Sequence, residues 1–145
     1  MSDLLDGKPI LSFWIIGGAA LVWNLIGFVF YLNDVTRSPE AFAALSEAQQ
    51  GFIGSTPVWA TAAFAIAVNA GVLGGLFLLL RKSWAVPMFI ASLAGIVAQD
   101  IHAFILSNRL EVWGTSAVYL PSLILVIGAA LLMYARQAKA KGWLS

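Results

Sequence analysis

The sequence predicts an all-α integral membrane protein: a four-transmembrane-helix bundle with a short extracytoplasmic amphipathic helix between spans one and two. Three observations predict it. Residues of the set AVILMFWYC fill 61% of the 145 positions and charged residues 10%, against roughly 25% charged in soluble domains. A chain so apolar cannot cover a soluble core with polar surface, and it needs lipid as its partner. Four stretches, 11–32, 57–80, 84–106 and 116–135, hold one charge between them, Asp100; about 20 residues at about 1.5 Å each cross the roughly 30 Å hydrocarbon layer. Basic residues, finally, gather at alternate ends of these stretches. Residues 1–145 read as a single membrane domain.

The first ten residues, with Asp3, Asp6, Lys8 and Pro9, are polar and read as poorly ordered. Span one, 11–32, is too long for a secretory signal core and has no convincing small-residue cleavage site after it, so it is read as an uncleaved helix. Ser38-Pro39-Glu40 is a helix start, with Ser as N-cap, Pro at the first position and an acid in the first turn. Phe42, Leu45, Gln49, Phe52 and Ile53 follow at roughly helical spacing, and Gly51 and Gly54 mark a stop. An amphipathic helix over about 39–50, lying on the bilayer or across the bundle mouth, is one reading and a solvated surface helix the other. Thr56-Pro57 opens span two, which Arg81-Lys82 ends. Ser83 is the candidate cap of span three, with Pro87 in its first turn. Span four, 116–135, carries Pro121 in its second turn as a candidate kink, and a basic tail follows.

Orientation follows from Lys and Arg at the span ends. Lys8, Arg81, Lys82, Arg136, Lys139 and Lys141 share one side, against Arg37 and Arg109 on the other. Both termini are therefore expected in the cytoplasm. Trp14, Trp59, Trp84, Trp113 and Trp143 fall near span ends, where indole suits the membrane interface, and Trp23 lies within span one.

Net charge of +1 gives no reason to expect nucleic acid as a partner, and the absence of cysteine removes disulfides, thiolate metal sites and cysteine nucleophiles. One histidine rules out a bis-histidine haem or multi-histidine metal site within a monomer. No paired acids, H-E-x-x-H or phosphate-binding glycine loop is present. The chain is expected not to be an enzyme and to hold no metal or cofactor.

Ala63, Ala67, Gly71 and Gly75 form a helix-packing ridge at strict four-residue spacing on span two. Small side chains let helices approach closely in lipid, and the ridge faces either a neighbouring span or a second protomer. Span one has a matching face in Gly17, Ala20, Asn24, Gly27 and Tyr31, with Asn24 able to reach Asn69 or span three. The candidate polar site centres on Asp100 with Gln99, His102, Asn24, Trp23 and Tyr119, open to the extracytoplasmic side. Intramembrane acids commonly mark ion or substrate pathways. The plainer readings are that Asp100 caps a helix near Ser116 or pairs with Arg109, that Asn24 is interhelical glue, and that His102 makes a structural hydrogen bond. In a regular helix Asp100 lies about 100° from Gln99 and about 160° from His102, so a simple Asp–His relay is not expected.

With Trp23-Asn24-x-x-Gly27, Ser38-Pro39-Glu40-Ala41, Pro57-x-Trp59-Ala60, Arg81-Lys82-x-Trp84-Ala85 and the tail Lys141-Gly142-Trp143 placed, the chain resembles, over nearly its whole length, a family of small bacterial four-span membrane proteins. Some of its members carry an automatic "sugar transporter" label. Small sugar carriers of the semi-SWEET type have three spans and a Pro-Gln motif, which this chain lacks. The resemblance implies four-span topology and a bacterial inner membrane, and it brings no functional residues. Two functions are expected from different classes. One is a non-catalytic accessory or assembly subunit of a larger inner-membrane complex, packing against other membrane subunits or itself. The alternative is a small oligomeric transporter or channel with its polar site around Asp100.

Overall fold

The computed structural model describes residues 8–145; the expectation for the polar start around Asp3 and Asp6 lies outside the described residues. The protein is an all-helical membrane bundle with four helices long and apolar enough to cross a bilayer. These are α1 (Leu11–Val35), α4 (Val58–Leu79), α5 (Ala85–Asp100) with its continuation to Leu106, and α7 (Tyr119–Ala140) with the 3₁₀ turn Thr115–Val118 before it. Three short helices lie between spans: α2 (Pro39–Ala43), α3 (Glu47–Gly54) and α6 (Arg109–Trp113). Connections 36–57 and 107–118 share one end of the bundle, the loop end. The turn 80–84 and the basic tail share the other, the basic end.

The single amphipathic helix expected over 39–50 is two helices. Ser38 caps α2 by accepting from the Ala41 N–H at 3.1 Å. The chain then breaks, and Ser46 starts α3 through a capping box: its hydroxyl accepts from Gln49 N–H at 3.1 Å and Gln49 Oε1 accepts from Ser46 N–H at 3.2 Å. Two satisfied backbone donors make a new helix start more favourable than continuing the old one. Ser83 caps nothing with its side chain. Pro121 falls in the first turn of α7, where a missing N–H costs little.

The spans pack in chain order, α1 on α4, α4 on α5, α5 on α7. The α4–α5 crossing is the closest. A Cβ on Gly95 would stand 2.6 Å from Ala63 O and 2.8 Å from Ala67 N, so only glycine permits this backbone approach. Ser92 adds a cross-helix hydrogen bond, its hydroxyl donating to Ala67 O at 2.6 Å. The ridge of small residues is thus used within the chain. Ala63 and Ala67 receive α5, while Gly71 and Gly75 receive α1 through Asn24 and the Leu21 backbone. Asn24 and Asn69 do not meet: each donates to its own helix, to Ala20 O and Ala65 O, both at 2.8 Å, and Asn69 faces outward.

At the basic end α4 and α7 finish in the same way. Lys82 N–H reaches Phe77 O and Arg81 N–H reaches Leu78 O; Trp143 N–H reaches Ala138 O and Gly142 N–H reaches Lys139 O. Both are Schellman stops, with the left-handed residue being Arg81 at φ 58° in one and Gly142 at φ 79° in the other. The second stop turns the tail back under the bundle. There Trp143 is 2% exposed, in a core with Phe13, Leu78, Ala85, Phe89 and Leu144, rather than at the membrane interface as its position near a span end suggested. A backbone bond from Ser145 N–H to Arg81 O, 2.9 Å, and a side-chain bond from Arg81 Nε–H to Trp143 O, 3.0 Å, fasten it to the 80–84 turn.

Candidate functional site

Helices α1 and α7 meet at the basic end, where Phe13 stacks on Tyr134 and meets Trp143 edge-on. Towards the loop end the two separate, and a cavity of about 1160 Å³ lies between them, walled at the back by α4 and α5. Ligand pockets commonly enclose about 300–1,000 Å³, so the space suffices for a small solute. Its deep wall is apolar, with Val68, Phe89, Ile96 and Leu131. Its polar lining collects towards the loop end.

Five of the six candidate site residues line this cavity: Trp23 and Asn24 from α1, and Gln99, Asp100 and His102 from span three. Tyr119 does not; it is 74% exposed on the outer surface. The 3₁₀ turn before Tyr119 sets the rotation of α7 so that Leu120, Pro121 and Ile124 face inward instead. Span three also departs from the regular helix on which the angular argument rests. From Ile101 to Leu106 it is π-helical, and two steps of such a helix still leave side chains on nearly opposite sides, so the cavity lining reaches two sides of this segment. Asp100 and His102, expected on nearly opposite faces, both reach the cavity lining. His102 is buried between Trp59, edge-on at 5.6 Å, and Phe52 at 5.9 Å. Trp113 closes the same aromatic group, 4.9 Å from Phe52.

Four formally charged side chains line the cavity: Asp34, Arg37, Asp100 and Arg109. Arg37 and Asp34 pair directly at 2.8 Å. Asp100 and Arg109 form no ion pair or hydrogen bond with each other or with other described residues. Arg109 instead rests on aromatic faces, its guanidinium carbon 5.3 Å from the Trp113 ring centre and 5.9 Å from that of Phe104, and its Nε is buried without a partner. Burial pushes the Arg109 pKa down from its ordinary value, while the fields of Asp100 and Asp34 act against that shift. A guanidinium so far above neutrality stays protonated.

Sequence reasoning named Arg109 only as a possible surface partner of Asp100, and it placed Phe52 on an outer helix and Trp113 at the interface. The Arg109-to-Trp113 spacing of four on a short helix was the available signal, since i and i+4 share a face. Comparison with family models, with curated proteins and with solved structures finds no match, so the chemistry of the lining is what speaks to function.

Proposed function

We propose that the protein is a small transporter of the cytoplasmic membrane whose cavity, centred on Asp100, takes up a small polar solute from the extracytoplasmic side. The observation supporting this reading is the placing of the cavity: its charged lining lies towards the loop end, and at the basic end Phe13 packs on Tyr134 and the tucked-in Trp143. With the basic end in the cytoplasm, as the positive-inside rule expects, this arrangement corresponds to an outward-facing form, one of the two states alternating access requires. Two half-buried opposite charges with no direct partner suit a site that exchanges water for solute, because leaving them dry would be costly. The ridge on α4 is occupied by its own neighbours, which leaves the apolar outer faces of the spans for an accessory subunit to use.

A second reading rests on the separation of α1 and α7. Along most of their length these spans bury little against the rest of the chain, and a partner helix could fill the gap in a larger complex. Purification in mild detergent with native mass spectrometry separates the two. The transporter reading expects only this chain, alone or as a homo-oligomer, and proteoliposomes that accumulate a solute with loss on Asp100→Asn. A stoichiometric foreign subunit filling the gap, with no solute flux in its absence, would overturn it.

A further inference from the structure

We infer that the ligand of this cavity is a zwitterion, carrying both an ammonium and an anionic oxygen, held with its cation on Asp100 and its anion on Arg109. The inference rests on the transporter reading and narrows it. Of the four charges on the lining, Asp34 and Arg37 already pair at 2.8 Å. The remaining two have opposite signs, face the same space, and are more than 4.0 Å apart. Long, flexible arginine side chains ordinarily close such gaps to make a bidentate pair. Here the guanidinium is held back by the Trp113 and Phe104 rings, and its Nε is left unpartnered inside the protein.

The charge balance of the lining makes the same point. Two acids and two arginines sum to zero, so a ligand with net charge would leave the half-buried site unbalanced in a low-dielectric setting. A neutral polyol would leave both ions without a directly bonded counter-charge. A zwitterion satisfies both and adds no net charge. Gln99 and Asn24, also on the lining, provide amide donors and acceptors beside the two ions. The apolar deep wall of Phe89, Ile96 and Leu131 accommodates a hydrocarbon portion attached to the zwitterion. That chemistry is shared by free amino-acid-like solutes and by the headgroup of phosphatidylethanolamine.

The test is binding to the purified full chain in nanodiscs of phosphatidylglycerol, followed by intrinsic tryptophan fluorescence, to which Trp23 and Trp113 on the cavity lining contribute. L-alanine, γ-aminobutyrate and phosphoethanolamine are the zwitterionic probes; ethylamine, propionate and glucose are the controls. At least one zwitterion is expected to bind at least tenfold more tightly than every control. Asp100→Asn and Arg109→Gln should each remove that tenfold preference, with the double variant no weaker than either single one. Arg109→Lys, which keeps the charge, covers the case in which Arg109→Gln does not fold, and it should retain part of the preference. If the lipid is the source, only nanodiscs containing phosphatidylethanolamine will quench the signal, and the co-purified lipid will be enriched in it over bulk. Glucose or a singly charged probe binding as tightly as the zwitterions would overturn this inference and leave the transporter reading standing. Absence of binding by every solute and by phosphatidylethanolamine would overturn both.

Discussion

The α4–α5 crossing gives the sharpest stability prediction. An alanine at position 95 would put its Cβ 2.6 Å from Ala63 O, 2.8 Å from Ala67 N and 3.1 Å from Ala67 Cα. Carbon and carbonyl oxygen normally keep about 3.3 Å or more apart, so the helices must separate by about 0.7 Å against atoms that belong to backbone and cannot rotate away. Overpacking of this kind costs about 1–3 kcal/mol. Replacing glycine in a helix also brings a propensity gain of up to about 1 kcal/mol, which blurs the net effect of Gly95→Ala alone. Gly18→Ala supplies the correction, because a Cβ there meets nothing within 4 Å and the variant receives only the gain. The difference between the two variants is therefore the overlap itself, a factor of about 5–150 in the unfolding equilibrium. Titration from mild detergent into dodecyl sulfate, followed by far-UV circular dichroism, measures it. Stabilities within about 0.5 kcal/mol of each other, the usual limit of additivity, would refute the close crossing.

Three further outcomes follow from the same contacts. Ser92→Ala removes the bond to Ala67 O and should cost about 0.6 kcal/mol, the average for interhelical bonds in lipid, in the same titration. Trp143→Ala empties the core at the basic end; the loss should fall at the lower end of the about 3–5 kcal/mol typical of such truncations, since lipid can solvate part of what is vacated. Hydrogen exchange should locate the loosening at 80–84 as well as in the tail, and unchanged protection there would argue against the docking. Ser46→Ala breaks the capping box and should weaken α3 by about 0.5–2 kcal/mol, read as faster amide exchange at Gln49 with the spans unaffected.

The four spans were legible because their lengths and their freedom from charge are set by the bilayer, and each begins and ends within a few residues of the expected position. The small-residue ridge was legible as a packing face, but its partner was not, because alanine and glycine suit any close neighbour. The break before Ser46 was written in the chain as S-x-x-Q and was overridden by the roughly helical spacing of Phe42, Leu45, Gln49, Phe52 and Ile53. Tyr119 was misplaced because a four-residue 3₁₀ turn shifts every later side chain around α7, and no local composition marks it. Trp143 was hidden for a related reason. Tryptophan after a basic helix end fits a membrane surface equally well, and only the Gly142 turn sends it inward. Asp100 stood out as the one charge within a span, whereas Arg109 lies in a loop where a charge needs no explanation.

The tail contact joins residues 62 and 64 positions apart, Arg81 with Trp143 and with Ser145. During synthesis, therefore, α1, α4 and α5 can insert and pair while the space beneath Phe13 is still without its tryptophan. The packing of Trp143 on Phe13 therefore forms only after α7 has crossed, so the basic end of α1 acquires its aromatic neighbours late.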